Sequence, residues 1–404
     1  MNRRVTANAA VLAALRLGAP LCSLAMVASI SRALGSEGLG RYSLAYAYLG
    51  VFGLLGPLGL PTLVTREGAR DPASLGRLLS SGLAIGGAAS ILLTAAMAAM
   101  SAFLDHDAAT ARALLVLSAA LLPSTGLACF EAAFLALERT APIAVSAVVE
   151  NAFKVAGGMA LLRAGYGLEA VLAAAVAGRA AACALSIALL RGLGVQLTAR
   201  ADFAVPRRLA RAAPVFALSG VCAALYWRID LLLLARLRGL AEVGHYSAAY
   251  RILDLAILAP QSLCHSLFPR LASGRAPDTD PLRWLFLLTA PVAAAVTATA
   301  GPLLRLLYGP GFEPASPVLS VLIWTALPYA WNRYYACVLV AAGRQRADLA
   351  INASLLAVTV LLNLAFIPRF GATGAAVVTL ATALLYGAAQ RAYLQRLPAP
   401  AAAL

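Results

Sequence analysis

The chain has 404 residues, of which 62% are hydrophobic and only 12% charged, and its mean hydropathy is +0.83. Soluble domains run near half apolar and a quarter charged, so this composition excludes a soluble enzyme or nucleic-acid-binding domain and predicts an integral membrane protein. The net charge of +15 is almost wholly arginine, Lys154 being the only lysine, and its meaning lies in where the arginines fall.

Punctuation by glycine, proline and charge predicts twelve membrane helices, near 8–31, 42–63, 78–104, 112–136, 141–162, 168–190, 208–235, 244–268, 284–307, 315–341, 348–367 and 372–395. A span needs about 20 apolar residues at 1.5 Å each, and the run from Leu78 to Leu104 exceeds that. The basic opening MNRR before an apolar stretch has the look of a secretory signal. Its apolar part is too long, holds Arg16 and continues into a second span, so an uncleaved first helix is expected. The longest connection, 191–207, follows span six. It divides the chain into an N-terminal six-helix lobe (1–195), a cytoplasmic linker (196–207) and a C-terminal six-helix lobe (208–404). The six cysteines stand singly in apolar segments and read as small buried hydrophobes, not as ligands or disulfides.

Alternate loops differ in charge. Arg32, Arg41, Arg112, Arg163, Arg236, Arg238, Arg305 and Arg369 fall on one side, and eighteen other loop arginines on the opposite side. The positive-inside rule then puts both termini in the cytoplasm, and orientation together with contact to anionic lipid accounts for these loop arginines.

The heptad GRYSLAY at 40–46 returns as GHYSAAY at 244–250, 204 residues later. Pro57 corresponds to Pro260, Pro123 to Pro328, Arg139 to Arg344, and GLEAVLAA at 167 to GATGAAVV at 371, all at offsets of 203–205. Six spans per half keep the halves in the same topology, so the repeat is parallel about an axis along the membrane normal. The fold class expected is all-α integral membrane, about twelve spans in two six-helix lobes, which is transporter architecture. Matching prolines predict matching bends, since each removes a helix hydrogen bond. The heptad is expected to begin the second helix of each lobe, its glycine loosening the loop and its tyrosine at headgroup level.

Charges at bilayer depth usually face protein or water and often mark a transport path. Here they are Arg16, Glu131, Glu150, Lys154, Arg179, Arg228, Asp230, Arg251, Asp254 and Arg333. Glu150 and Lys154, at i,i+4 with the acid first, read as a structural pair. Ser247, Tyr250, Arg251, Asp254, Gln261 and His265 line up on one face of span eight, which is expected to see water or headgroup. Arg333, beside Tyr329 and Asn332, suits a sugar through stacking and hydrogen bonds, or an interface through its tryptophan neighbours. Arg16 either lines a cavity or snorkels to the cytoplasmic surface. Asp254, Glu131 and Glu150 are candidate ion-coupling sites.

The stretch SRALGSEGLGRYSLAYAYLGVFGLLGPLGLPTLVTREGARD resembles the first helix pair of bacterial polysaccharide repeat-unit flippases of the multidrug/oligosaccharidyl-lipid/polysaccharide exporter superfamily. YWRIDLLLLARLRGLAEVGHYSAAYRILDLAILAPQSLCHSLFPRLAS, LLRLLYGPGFEPASPVLSVLIWTALPYAWNRYYACVLVAAGRQR and NLAFIPRFGATGAAVVTLATALL resemble the same family. The resemblance implies two lobes around a cationic cavity in the bacterial cytoplasmic membrane. It further implies transfer of an undecaprenyl-diphosphate-linked oligosaccharide to the outer leaflet, beside a polysaccharide polymerase and a chain-length regulator. The short chain favours the O-antigen or exopolysaccharide branch over the longer lipid II flippases. Family arginines associated with the diphosphate correspond to Arg16 and Arg251, with Arg228 behind them. Guanidinium, permanently charged and bidentate, suits phosphate oxygens.

A cation-coupled multidrug exporter of the same superfamily is the first alternative, but such a cleft wants carboxylates, and this chain's excess is basic. A polyprenyl-linked glycosyltransferase or polymerase needs a sizeable outer loop, and 236–243 and 308–314 are too short. The chain has no phosphate-binding glycine loop, and neither a cofactor, a metal site nor enzymatic activity is expected.

Overall fold

Within hydrocarbon no water satisfies a free backbone group, so an apolar chain closes its hydrogen bonds inside its own segment and folds as helix. The computed structural model describes residues 3–57, 59–103, 107–197, 228–272 and 280–396, and among these there is no strand. The helices are α1 (Arg3–Leu55), α2 (Leu60–Arg70), α3 (Leu75–Phe103), α4 (Ala108–Ser118), α5 (Leu121–Ala136) and α6 (Ala141–Asn151). A π turn (Ala152–Gly157) leads to α7 (Gly158–Arg163) and α8 (Leu168–Gly192). The second half has α9 (228–238), α10 (Leu240–Ala256), α11 (Leu258–Ala272), α12 (Pro281–Ala298), α13 (Ala300–Tyr308), α14 (Ser316–Leu322), α15 (Ala326–Ala341) and α16 (Gln345–Gln395).

Two of these helices hold two spans each. Helix α16 has 51 residues, about 75 Å of helix against a core of about 30 Å, and it breaks at Gly371 (φ 57°). Helix α1 breaks likewise at Gly35 (φ 69°). Counted at these breaks, a described helix falls in each of the twelve expected spans. Span seven is described only over 228–238, and the 196–207 linker lies almost wholly outside the described residues. Large side chains such as Leu92, Leu306 and Leu361 stand exposed, as suits a surface that meets lipid. The five described cysteines are free.

The chain divides into two compact units. Unit 1 is Met1–Ala33 with Leu44–Leu225, and unit 2 is Leu34–Ser43 with Tyr226–Leu404. A core of Leu60, Leu79, Phe130, Phe134 and Leu190 holds unit 1, while Leu285, Tyr334 and Val338 close around Cys264 in unit 2.

The repeat is visible in backbone geometry. In unit 2 a Cβ on Gly40 would overlap the carbonyl of Leu240, and a Cβ on Gly244 would overlap the carbonyl of Ser36. Both pairs, 40 with 244 and 36 with 240, keep the 204-residue offset. Each heptad glycine therefore lies against the residue four before the other glycine, a reciprocal crossing that only two missing side chains permit. The break that admits each crossing helix is itself repeated, at Gly35 (φ 69°) and Gly239 (φ 89°). These glycines do not loosen a loop but sit in helices at a close backbone contact. The first tyrosines, Tyr42 and Tyr246, are packed within protein, 2% and 1% exposed.

The ends of α5 and α15 match too. Arg139 N–H donates to the Phe134 carbonyl (2.8 Å) and Glu138 N–H to that of Leu135 (3.0 Å). Arg344 donates to Leu339 (2.8 Å) and Gly343 to Val340 (3.0 Å). Both are left-handed helix stops, at Glu138 (φ 55°) and Gly343 (φ 71°), satisfying carbonyls that the helix leaves over. The paired prolines also fall at breaks. Pro123 and Pro328 are each the third residue of their helix, α5 after Ala119–Ala120 and α15 after the tight turn Ile323–Thr325. Pro57 lies in the break before α2, and Pro260 just past the break at Ile257.

Candidate functional site

Unit 1 brings charges together where α8 closes on α6, with Glu150, Lys154 and Arg179 half-buried and Glu131 exposed. Gly178 makes this possible, because a Cβ there would come within 2.6 Å of Phe153 Cβ and 2.9 Å of the Glu150 carbonyl oxygen. The next residue, Arg179, donates Nε–H (2.9 Å) and Nη2–H (2.7 Å) to Glu150 Oε1, and Nη1–H (3.0 Å) to Ser124 Oγ on α5. Glu131, on α5, feels the charges of both Glu150 and Arg179. Lys154 sits in the π turn, with Nζ 5.1 Å from the centre of the Tyr46 ring, a cation over an aromatic face. Tyr46 is the last residue of the first heptad.

Unit 2 builds a different polar centre. Asp230, 7% exposed on α9, accepts its own neighbour's N–H from Leu231 (2.8 Å) and the hydroxyl of Tyr246 from α10. The Tyr246 oxygen also lies 3.1 Å from Thr379 Oγ1 on α16. Asp230, Tyr250, Tyr329, Thr359, Thr379 and Thr382 line a small cavity of about 30 Å³. Tyr250 tilts against Tyr246, ring centres 5.8 Å apart.

One turn further along α10, Arg251 Nη1 lies 3.2 Å from Asp254 Oδ2, with the side chains 30% and 35% exposed. Arg228, on α9, is near enough to act electrostatically on both Asp254 and Asp230. On the same helix, the Ala248 carbonyl accepts the hydroxyl of Tyr308 (3.1 Å).

The expected polar face of span eight is thus divided. Helix α10 ends at Ala256 and α11 starts at Leu258, so half-buried Gln261 belongs to a new helix. Ser247 is buried, and the side chains of His265 and Arg16 lie outside those described. Arg333 is exposed on α15. Its neighbour Asn332 is buried, donating Nδ2–H to the Ala383 carbonyl (2.8 Å) in space left by Gly387. The structure therefore brings Arg228, Arg251 and Asp254 together, and puts Tyr250 with Asp230. The Asp230 lock was not assigned from the sequence. Its one available signal was Tyr246, the first tyrosine of the repeated heptad.

Comparison with known proteins agrees with this architecture. A family model described as "Polysaccharide biosynthesis protein" matches residues 5–274. The probable flippase AglR of Haloferax volcanii is 28% identical over 169 residues, 38% of this chain and 35% of that protein, so the chain matches about a third of its relative's length. Among solved structures, the lipid II flippase MurJ in its inward closed conformation superposes with a TM-score of 0.77 at 12% identity, covering 98% of this chain and 89% of that one. An inward-facing multidrug resistance MATE family transporter of the MOP superfamily gives a TM-score of 0.69 at 13% identity, covering 93% and 95%. At such identities these two likenesses establish the fold alone, all-helical and multi-pass.

Proposed function

The chain belongs to the polysaccharide biosynthesis protein family, and from that premise we propose that it carries a polyprenyl-diphosphate-linked oligosaccharide repeat unit from the cytoplasmic to the outer leaflet by alternating access. The observation that carries this reading is the Arg228, Arg251 and Asp254 cluster, partly exposed and richer in cation than in anion once Asp230 is committed to Tyr246 and Leu231. A lipid diphosphate has to bring its phosphates through a region of low dielectric, and guanidinium is the group that meets phosphate oxygens without giving up its charge.

In this reading Arg251 and Arg228 hold the diphosphate, with Arg16 as a third cation. Tyr250, Gln261 and Arg333 meet the sugar, and the polyprenyl tail trails in lipid. Asp254, Glu131 and Glu150 are the acids available for coupling to H⁺ or Na⁺. Both termini are cytoplasmic, the membrane is the bacterial inner membrane, and a polysaccharide polymerase and chain-length regulator act on the product.

The test is rescue of surface polysaccharide in a strain lacking this protein. Arg251→Ala and Arg228→Ala, present in the membrane at wild-type levels, are expected to reduce rescue at least tenfold while lipid-linked repeat units accumulate on the cytoplasmic side. Full rescue by both variants would remove the arginines from the path. Loss of lipid II transport instead of polysaccharide would reassign the substrate.

A further inference from the structure

We infer that Asp254 is a tethered counter-anion, a carboxylate that occupies Arg251 in the unloaded protein and yields that place to a diphosphate on loading. The inference rests on the diphosphate reading above and adds a selectivity device to it.

Two arginines of the chain are held very differently. A guanidinium has five N–H donors. Arg179 commits all three nitrogens, two to Glu150 and one to Ser124, and each side of that ion pair is 23% exposed. Arg251 gives a single N–H to Asp254, from three residues away on the same helix, with about a third of each side chain exposed. A one-point pair left a third exposed is weak and reversible, whereas a diphosphate offers bidentate, charge-assisted contacts. The neighbouring acid does not serve this purpose, because Asp230 is buried and held by a backbone N–H and the Tyr246 hydroxyl. Asp254 also lies within the field of Arg228, so one carboxylate answers two cations that the substrate is to take over.

Two properties follow. First, Arg251 never stands in the membrane without a counter-charge, so emptying the site after release costs less. Second, an incoming anion has to outcompete a carboxylate that is always present. An anion with one phosphate gains little by the exchange, while a diphosphate spanning Arg251 and Arg228 gains both contacts. Asp254 is thereby a specificity residue acting through Arg251.

The test measures binding of geranylgeranyl diphosphate, and of geranylgeranyl monophosphate as control, to the purified full chain in lipid nanodiscs. The proteins are wild type, Asp254→Asn, Asp254→Glu and Arg251→Ala. Removing the tethered charge should tighten diphosphate binding about two- to fivefold, the weight of a partly exposed ion pair. It should narrow the preference for diphosphate over monophosphate, while Asp254→Glu stays near wild type. A carboxylate that merely positioned Arg251 would give the opposite sign, weaker binding in Asp254→Asn. Unchanged or weakened binding there, with Arg251→Ala also weakened, overturns the counter-anion and leaves the diphosphate site standing. Binding that is indifferent to Arg251→Ala and Asp254→Asn alike overturns both.

Discussion

Glu150 takes two N–H groups from Arg179 across 29 residues of chain, and this partnership tests what unit 1 owes to its internal charges. Removing one partner leaves the other ionised and poorly solvated, which costs more than the pair contributes. Allowing for the 23% exposure of each group, Arg179→Ala is expected to cost about 1–2 kcal/mol. Thermal unfolding in detergent measures this, and Arg179→Ala/Glu150→Ala should recover most of the loss. A double variant no better than the single would show that Ser124 and the helix contact matter more than the ion pair. The i,i+4 spacing of Glu150 and Lys154 was legible because it is local. The Arg179 contact was not, since it depends on Gly178 letting α8 approach, and the π turn at Ala152–Gly157 changes the register that i,i+4 counting assumes.

At the scale of elements, the heptad glycines carry a sharper expectation. Gly40→Val or Gly244→Val should push apart the helix that follows Gly35 and α10, because each added side chain meets a backbone carbonyl that cannot rotate away. Either substitution should cost about 2 kcal/mol or more by overpacking, and the Gly40→Val/Gly244→Val variant less than twice that, since one displacement relieves both clashes. Yield of monodisperse protein and its melting temperature check this. Gly→Ala at a position with open space for a Cβ, such as Gly18, is the control. The recurrence of GxYSxAY was readable from the sequence, as were the twelve spans and the paired prolines. That the two copies touch one another was not readable, because periodicity within a helix says nothing about which helix it meets. Likewise Asp230 was visible as a charge at bilayer depth, but its fixation by Tyr246 and the nearby Thr379 joins α9, α10 and α16, and no local spacing encodes that.

At the scale of the molecule, the chain passes between its two units three times, at 33/34, 43/44 and 225/226. Residues 1–200 and 201–404 made as separate polypeptides should therefore be stable only together. The first fragment alone is expected to be cleared from the membrane several-fold faster than when both are present, as followed by immunoblot after synthesis is stopped. The Gly40 and Gly244 crossing also has a consequence in time. At about 5–20 residues per second, the ribosome needs roughly 10–40 s to go from one glycine to the other. Throughout that interval Leu34–Ser43 has left the ribosome and belongs to a unit that does not yet exist, so the first half waits in the bilayer with its most closely packed contact unmade. Whatever shields that glycine surface during the wait, lipid or an insertion factor, has to leave before α10 can take its place.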